Sequence, residues 1–263
     1  MGITTHKPYI VQEANRPGIA AKVDGRYWLL SVGWTKDQGK FVHRAWSEKL
    51  AGPWTWEEGM LIPPGGPGEF DEKHTDAPSG LYFADRREFV YFYMGYPKQP
   101  QKRAISPLGN AQGVAVQGMG EKRARKLGII LPPCQKAGHW ASGWVGGMQV
   151  FPGKAHRWIG LAGASPTAPI ADDSARSREE PPPCLGGFAW TDEEYPISGW
   201  HWDDEPIEWI EQIPSSAIAN GEGVNLWRHY LLKLSSGQSA IFYNTGAYGT
   251  EQMYVKLSES SMP

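Results

Sequence analysis

The sequence predicts an all-β fold, a β-propeller of four-stranded antiparallel blades, on three observations. β-Branched and aromatic runs bounded by Gly, Pro, Asp and Ser dominate, and no long stretch keeps a helical period. The 263 residues include 32 glycines and 22 prolines, which punctuate turns and so divide the chain into many short elements. One layout then recurs four times, a turn followed by an aromatic-rich strand, and repeated antiparallel meanders with variable insertions are the pattern of propeller blades.

The elements follow in order. The first unit has an inner strand "GIAAKV" (18–23), the turn-and-strand "DGRYWLLSVGW" (24–34) and a further strand in "KFVHRAWSEKLAGPW" (40–54). The second has "SGLYF" (79–83), "DRREFVYFYMGY" (85–96) and "AQGVAVQG" (111–118). The third has "GMQVF" (147–151), "AHRWIGLAGAS" (155–165) and "GGFAWTDE" (186–193). The fourth has "RHYLLKL" (228–234), "SGQSAIFYNTG" (236–246) and "EQMYVKLSES" (251–260). Trp28, Trp54, Trp158 and Trp190 sit within this pattern and read as core. The stretches 63–70 and 168–183 are rich in proline or polar residues and read as surface excursions. No linker is long enough to separate two domains, so residues 1–263 read as one propeller domain.

Bulk properties exclude several classes. A net charge of −2 gives no electrostatic case for nucleic acid or a membrane surface. The basic run "EKRARK" (121–126) reads as a solvated loop. No apolar run has the length of a membrane span, and "MGITTHKPYIVQE" lacks the apolar core of a signal peptide, so the expected location is cytoplasmic. Cys134 and Cys184 are too few for a disulfide framework or a cysteine zinc site; the two are either free thiols or one bridge between proline-rich loops. No nucleotide-binding, zinc-protease or serine-hydrolase motif is present, and no cofactor or metal is expected.

The blade pattern resembles the five-bladed β-propeller glycosidases, the superfamily around glycoside hydrolase families 43, 62, 32 and 130. The resemblance rests on "DGRYWLLSVGW", "AWSEKLAGPW", "FDEKHTDAPSGLYFADRREFVYFYMGY" and "LLKLSSGQSAIFYNTGAYGTEQMYVKLS". It covers most of the chain and implies five blades. Four are visible, and a fifth is either absent or assembled from "KPYIV" and an insertion.

In a propeller the innermost strand of each blade starts at one mouth of the central channel. "DEKHTDAPSGLYF" (71–83) crowds ionisable groups at such a start. Pro78 is expected to force Ala77 into an extended conformation and is tolerated at a strand's beginning, which puts Asp76 at the mouth with His74 on the same side. "NRPGIAAKV" reads as the counterpart in the first blade, with Asn15 in the place of Asp76, Pro17 in that of Pro78, and Glu13 two residues earlier. The resemblance implies an Asp at that place, and Asn is no general base. The last blade offers Glu222, Asn225, Trp227, Arg228 and His229, and the third offers Trp144.

Glycoside hydrolysis needs two carboxyl groups across the scissile bond, and a third raises the pKa of the acid. Asp76, Glu222 and Glu13 are therefore the expected catalytic set, with Asp71 in reserve. Asn15, Arg16, His74, Asn225, Arg228 and His229 are expected to hold sugar hydroxyls, and Trp144 and Trp227 to stack on a sugar ring. A crowded carboxylate site further predicts that neutralising Asp76 leaves stability unchanged or raises it. Two other readings stay open, a non-catalytic propeller that binds carbohydrate or protein, and phosphorolysis or lyase chemistry on the same scaffold, with Arg16, Arg228 and His229 as a phosphate-binding cluster.

Overall fold

The computed structural model describes residues 4–37, 39–98, 110–166, 185–207, 227–234, 238–245 and 252–257. The described residues form strands, turns and loops, with no helix among them, and the strands assemble into four sheets. These are the four units of the sequence, each an antiparallel meander running outward from an inner strand. Blade 2 runs His74–Phe83, Glu88–Tyr96, Ala111–Gly118 and Arg125–Leu131. Blade 3 runs Trp144–Pro152, Trp158–Ser165, Leu185–Thr191 and His201–Pro206. Blade 4 shows Trp227–Lys233, Ser239–Thr245 and Gln252–Leu257.

Blade 1 departs from expectation. Its inner strand is Thr4–Ile10, paired antiparallel with Arg26–Thr35, which then pairs with Gly39–Ser47 and through it with Thr55–Trp56. The "KPYI" stretch therefore belongs to this first blade and is no part of a fifth. "GIAAKV" contributes only the short strand Lys22–Val23, joined to the next by Asp24-Gly25. Both residues of that turn have positive φ, 48° and 80°, as a two-residue hairpin requires. The rest of that stretch forms a small hairpin, Gln12–Glu13 with Arg16–Ala20, whose first strand lies parallel to the far end of the blade 2 inner strand.

Aromatic side chains seal blade to blade. Trp28, Leu30 and Val42 of blade 1 pack on Phe89, Tyr91 and Tyr93 of blade 2, and Phe92 and Val114 on the other face of blade 2 pack on Met148, Val150 and Trp158 of blade 3. Between blades 1 and 2 lies a buried cation, Arg44. Its guanidinium donates to Glu57, to the Tyr91 hydroxyl at 3.0 Å and to Gln117, and stacks 4.3 Å from the Trp28 ring centroid.

The loop 63–73 is held by Phe70. A Cβ on Gly113 would stand 2.5 Å from the Phe70 ring and 2.8 Å from that of Tyr93, and one on Gly95 would also overlap Phe70. Only glycine lets the ring lie this close to the two middle strands of blade 2. Gly113→Val is expected to lower stability by about 2–3 kcal/mol, the upper part of the range for forcing extra volume into a packed site. Urea titration of both proteins checks this.

Candidate site at the channel mouth

The four inner strands share one irregularity. In blade 2 the register with Glu88–Tyr96 shifts between Asp76 and Ser79, so Ala77 and Pro78 form a bulge. Blade 1 shifts between His6 and Tyr9, blade 3 between Val145 and Met148, and blade 4 between Trp227 and Tyr230. The four inner strands thus align as His6-Lys7-Pro8-Tyr9, Asp76-Ala77-Pro78-Ser79, Val145-Gly146-Gly147-Met148 and Trp227-Arg228-His229-Tyr230. In the first two the leading bulge residue has a left-handed backbone, φ 55° at Lys7 and 44° at Ala77, so Ala77 is not extended as expected and the bulge turns the chain sharply there. Gly147 lacks a side chain because a Cβ there would sit 2.7 Å from that of Ala77.

Beyond the bulge the strands converge on the axis. Tyr9 and Tyr230 meet edge to face with ring centroids 5.4 Å apart. Ser79 donates its hydroxyl proton to the Met148 carbonyl, and Gln149 bridges to Leu231 in both directions at 2.6 and 3.0 Å.

Asp76 stands just before the bulge, with its carboxylate fully buried. Oδ1 accepts from Lys7 Nζ at 2.6 Å and from the Ala77 amide at 2.6 Å, while Oδ2 accepts from Lys40 Nζ at 3.1 Å. Burial alone raises the pKa of a carboxyl, but the charges of Lys7 and Lys40 outweigh it and hold Asp76 well below the usual carboxylate range. His74 joins the same group. Its Nδ1 accepts the Lys40 backbone N–H at 3.1 Å, and its ring meets the edge of Tyr96. Between them, Thr75 ties this strand to blade 1, its Oγ1 accepting from the Val42 amide and donating to the Ile62 carbonyl. Lys40 also lies 5.7 Å over the Tyr96 ring.

Other expected site residues lie elsewhere. Glu13 forms a bidentate pair with Arg16, and its strand is in register with Tyr82, six residues along from Asp76. At the rise of an extended strand that is about 20 Å. Glu13, Asn15 and Arg16 are therefore at the far end of the inner strands, with Asn15 and Arg16 exposed, and they do not meet Asp76. Asn15 is not the counterpart of Asp76; His6 is. Asp71 is buried under its loop, where Lys126 Nζ at 2.7 Å and the Tyr93 hydroxyl at 3.0 Å both bond its Oδ2. Those partners belong to the second and fourth strands of blade 2, so Asp71 fastens the loop to the blade. Lys126, expected in a solvated loop, is its counter-ion. Trp144 reaches the mouth but is 3% exposed and packs on Met94, Ala77 and Tyr96, leaving no ring face for a sugar. Trp227, Arg228 and His229 lie at the start of the blade 4 inner strand by backbone register. Glu222 and Asn225 lie outside the described residues, as does Cys184, while Cys134 is a half-buried free thiol. Trp28 and Trp158 are core, as expected, whereas Trp54 is half-buried and Trp190 is half-buried between the rings of His156 and His201.

Sequence reasoning missed Lys7, Lys40 and Tyr96. One signal was available for Lys7. "THKP" (5–8) and "TDAP" (75–78) share a threonine three residues before a proline, and the structure superposes these two tetrads in register.

No protein-family model matches the chain, and no curated protein matches its sequence. Solved structures do match in fold. One described as a glycoside hydrolase superposes with a TM-score of 0.65 at 15% identity, covering 99% of this chain and 72% of its own. A levansucrase of Bacillus subtilis in complex with oligosaccharides gives 0.63 at 10% identity over 98% and 69%. An endo-arabinase from Bacteroides thetaiotaomicron gives 0.59 at 11% identity over 94% and 78%. These neighbours are five-bladed propeller-type glycosidases, and the chain has their fold.

Proposed function

We propose that this chain, built on the propeller scaffold of glycosidases, binds a small glycoside or oligosaccharide at the mouth where the inner strands begin and hydrolyses it there. The observation that carries this reading is Asp76, an ionised carboxylate placed by the inner-strand bulge at the axial end of the fold. A carboxyl held this acidic keeps no proton to give at neutral pH. The role left to Asp76 is base or nucleophile, which it fills when substrate displaces Lys7 or Lys40 from its buried oxygens, and protonation of the leaving oxygen falls to a second carboxyl. Glu222, which precedes the blade 4 inner strand in sequence, is the residue assigned to that task.

A second reading, carbohydrate binding without catalysis, is favoured by one observation. The positions equivalent to Asp76 carry His6, Val145 and Trp227, so Asp76 is the single carboxylate among the four, and both its oxygens are engaged by lysines. A panel of nitrophenyl furanosides and pyranosides with short oligosaccharides separates the two. Under the hydrolase reading wild type turns over at least one substrate, and Asp76→Asn and Glu222→Gln each lose at least about 100-fold, the low end of an acid–base contribution. Turnover that survives both substitutions removes these residues from the mechanism. Saturable sugar binding with no turnover establishes the second reading.

A further inference from the structure

We infer that the ligand of this mouth is an oligosaccharide rather than a simple glycoside, and that Trp34 is the surface on which its second sugar ring stacks. The inference rests on the reading of the mouth as a sugar site. The strand Arg26–Thr35 turns its even-numbered residues toward blade 2. Along that row Trp28 is 6% exposed, Leu30 and Val32 are fully buried, and Trp34 is 44% exposed. Blade 2 therefore covers the row up to its last member and leaves that one open. Trp34 pairs on one side with Thr4, where the inner strand begins, and on the other with Lys40. Both pairings put it at the end of the blade where the mouth lies.

Two features separate Trp34 from an apolar side chain left on the surface by chance. The first is its ring. Trp28 and Trp46, which face each other in the same row, carry the guanidinium groups of Arg44 and Arg26 at 4.3 and 3.9 Å from their ring centroids. No ring or cation among the described residues lies over Trp34, so the exposed part of its indole is uncommitted. The second is its neighbour. Opposed residues of an antiparallel pair stand on one face with Cβ atoms about 4.5–5.5 Å apart. The residue opposite Trp34 is Lys40, whose ammonium reaches Asp76 Oδ2 at 3.1 Å. The length of the lysine side chain separates the indole from the carboxylate, so the ring that stacks on Trp34 is joined to the ring that meets Asp76 and is not the same one. One face of a sugar ring presents C–H groups, and an indole buries that face at low cost in ordering because it has only two side-chain torsions. Trp34 thereby supplies the stacking surface that Trp144, packed on Met94, does not.

Calorimetry on the full chain tests the inference with the monosaccharides and linear trisaccharides of arabinose, xylose, galactose and fructose. Wild type is expected to bind at least one trisaccharide about 10-fold more tightly than its monosaccharide, the upper end of what an aromatic contact adds beyond buried area. Trp34→Ala is expected to lose that advantage with little change for the monosaccharide, and Trp34→Phe, which keeps a flat ring, to retain most of it. Trp56→Ala removes another exposed tryptophan, on the outermost strand of blade 1, and is expected to bind as wild type does. A trisaccharide bound equally well by wild type and Trp34→Ala overturns the inference and leaves the sugar site standing. So does a monosaccharide bound as tightly as its trisaccharide. An equal loss for both sizes in Trp34→Ala puts the indole under the first ring and overturns the assignment to the second. Absence of binding by every sugar of the set overturns the sugar site itself. The comparison of chain lengths on wild type and Trp34→Phe stands even where Trp34→Ala fails to fold.

Discussion

Asp76→Asn is expected to lower stability at pH 7 by about 2–3 kcal/mol and to depress the melting temperature. Removing one partner of a buried ion pair costs about 3–5 kcal/mol, and the partial exposure of both lysines reduces that figure. The variant removes the charge that Lys7 and Lys40 share. This reverses the expectation from sequence, which took the site to be crowded with like charges. Acid provides the internal control. Asp76 has a lower pKa folded than unfolded, so its contribution is complete above the ordinary carboxylate value of about 4 and is lost as pH falls through the lower folded value. The gap between wild type and variant in urea midpoint should therefore be full at pH 7 and narrow progressively below about pH 4. A variant as stable as wild type at pH 7 would show that the lysine cluster contributes nothing to folding.

Arg44→Met should cost more, about 3–5 kcal/mol, because the guanidinium is almost wholly inside the protein and several groups depend on it. Tyr91 Oη would lose a donor at 3.0 Å, and the Gln117 carbonyl oxygen would keep only the Tyr91 hydroxyl at 2.7 Å. The Trp28 face would lose its cation as well. Methionine replaces much of the stem, so the loss reports the head group rather than an empty cavity. The partner carboxylate, Glu57, is 31% exposed on its side chain, so Glu57→Gln should cost under about 1 kcal/mol. Chemical denaturation of both variants checks the contrast. Equal losses would mean that the ion pair, and not the buried bridge from blade 1 to blade 2, carries the energy.

The meander was legible in the sequence because local signals write it. Alternating apolar strands and turns such as Asp24-Gly25 state each hairpin within a few residues. The inner strand of blade 1 was not, because two segments competed for it. "NRPG" and "HKPY" each place a proline two residues after a polar one, and only pairing of Thr4–Ile10 with Arg26–Thr35, a non-local event, decides between them. Asp76 could be found from Pro78 and the strand that follows. Its partners were harder to find, since Lys7 and Lys40 lie 69 and 36 residues away; the tetrad shared with "TDAP" points to the place of Lys7, and nothing local marks Lys40 as a counter-ion. The same limit applies to Asp71, whose burial depends on the glycines that admit Phe70.

The recurrent bulge divides each inner strand into a stretch that closes the axis and a stretch that faces the rim. Residues after it, such as Tyr9, Ser79, Met148 and Tyr230, are committed to the axis, while positions 6, 76, 145 and 227 precede it as four equivalent sockets around one rim. A side chain exchanged at one of these positions keeps its backbone frame but changes its neighbours, since Asp76 ion-pairs with Lys7 and Lys40 of blade 1 and Val145 is fully buried. Laboratory evolution confined to those four codons would therefore vary one rim of the fold while selecting, in the same step, for side chains that replace the buried contacts of Asp76 and Val145.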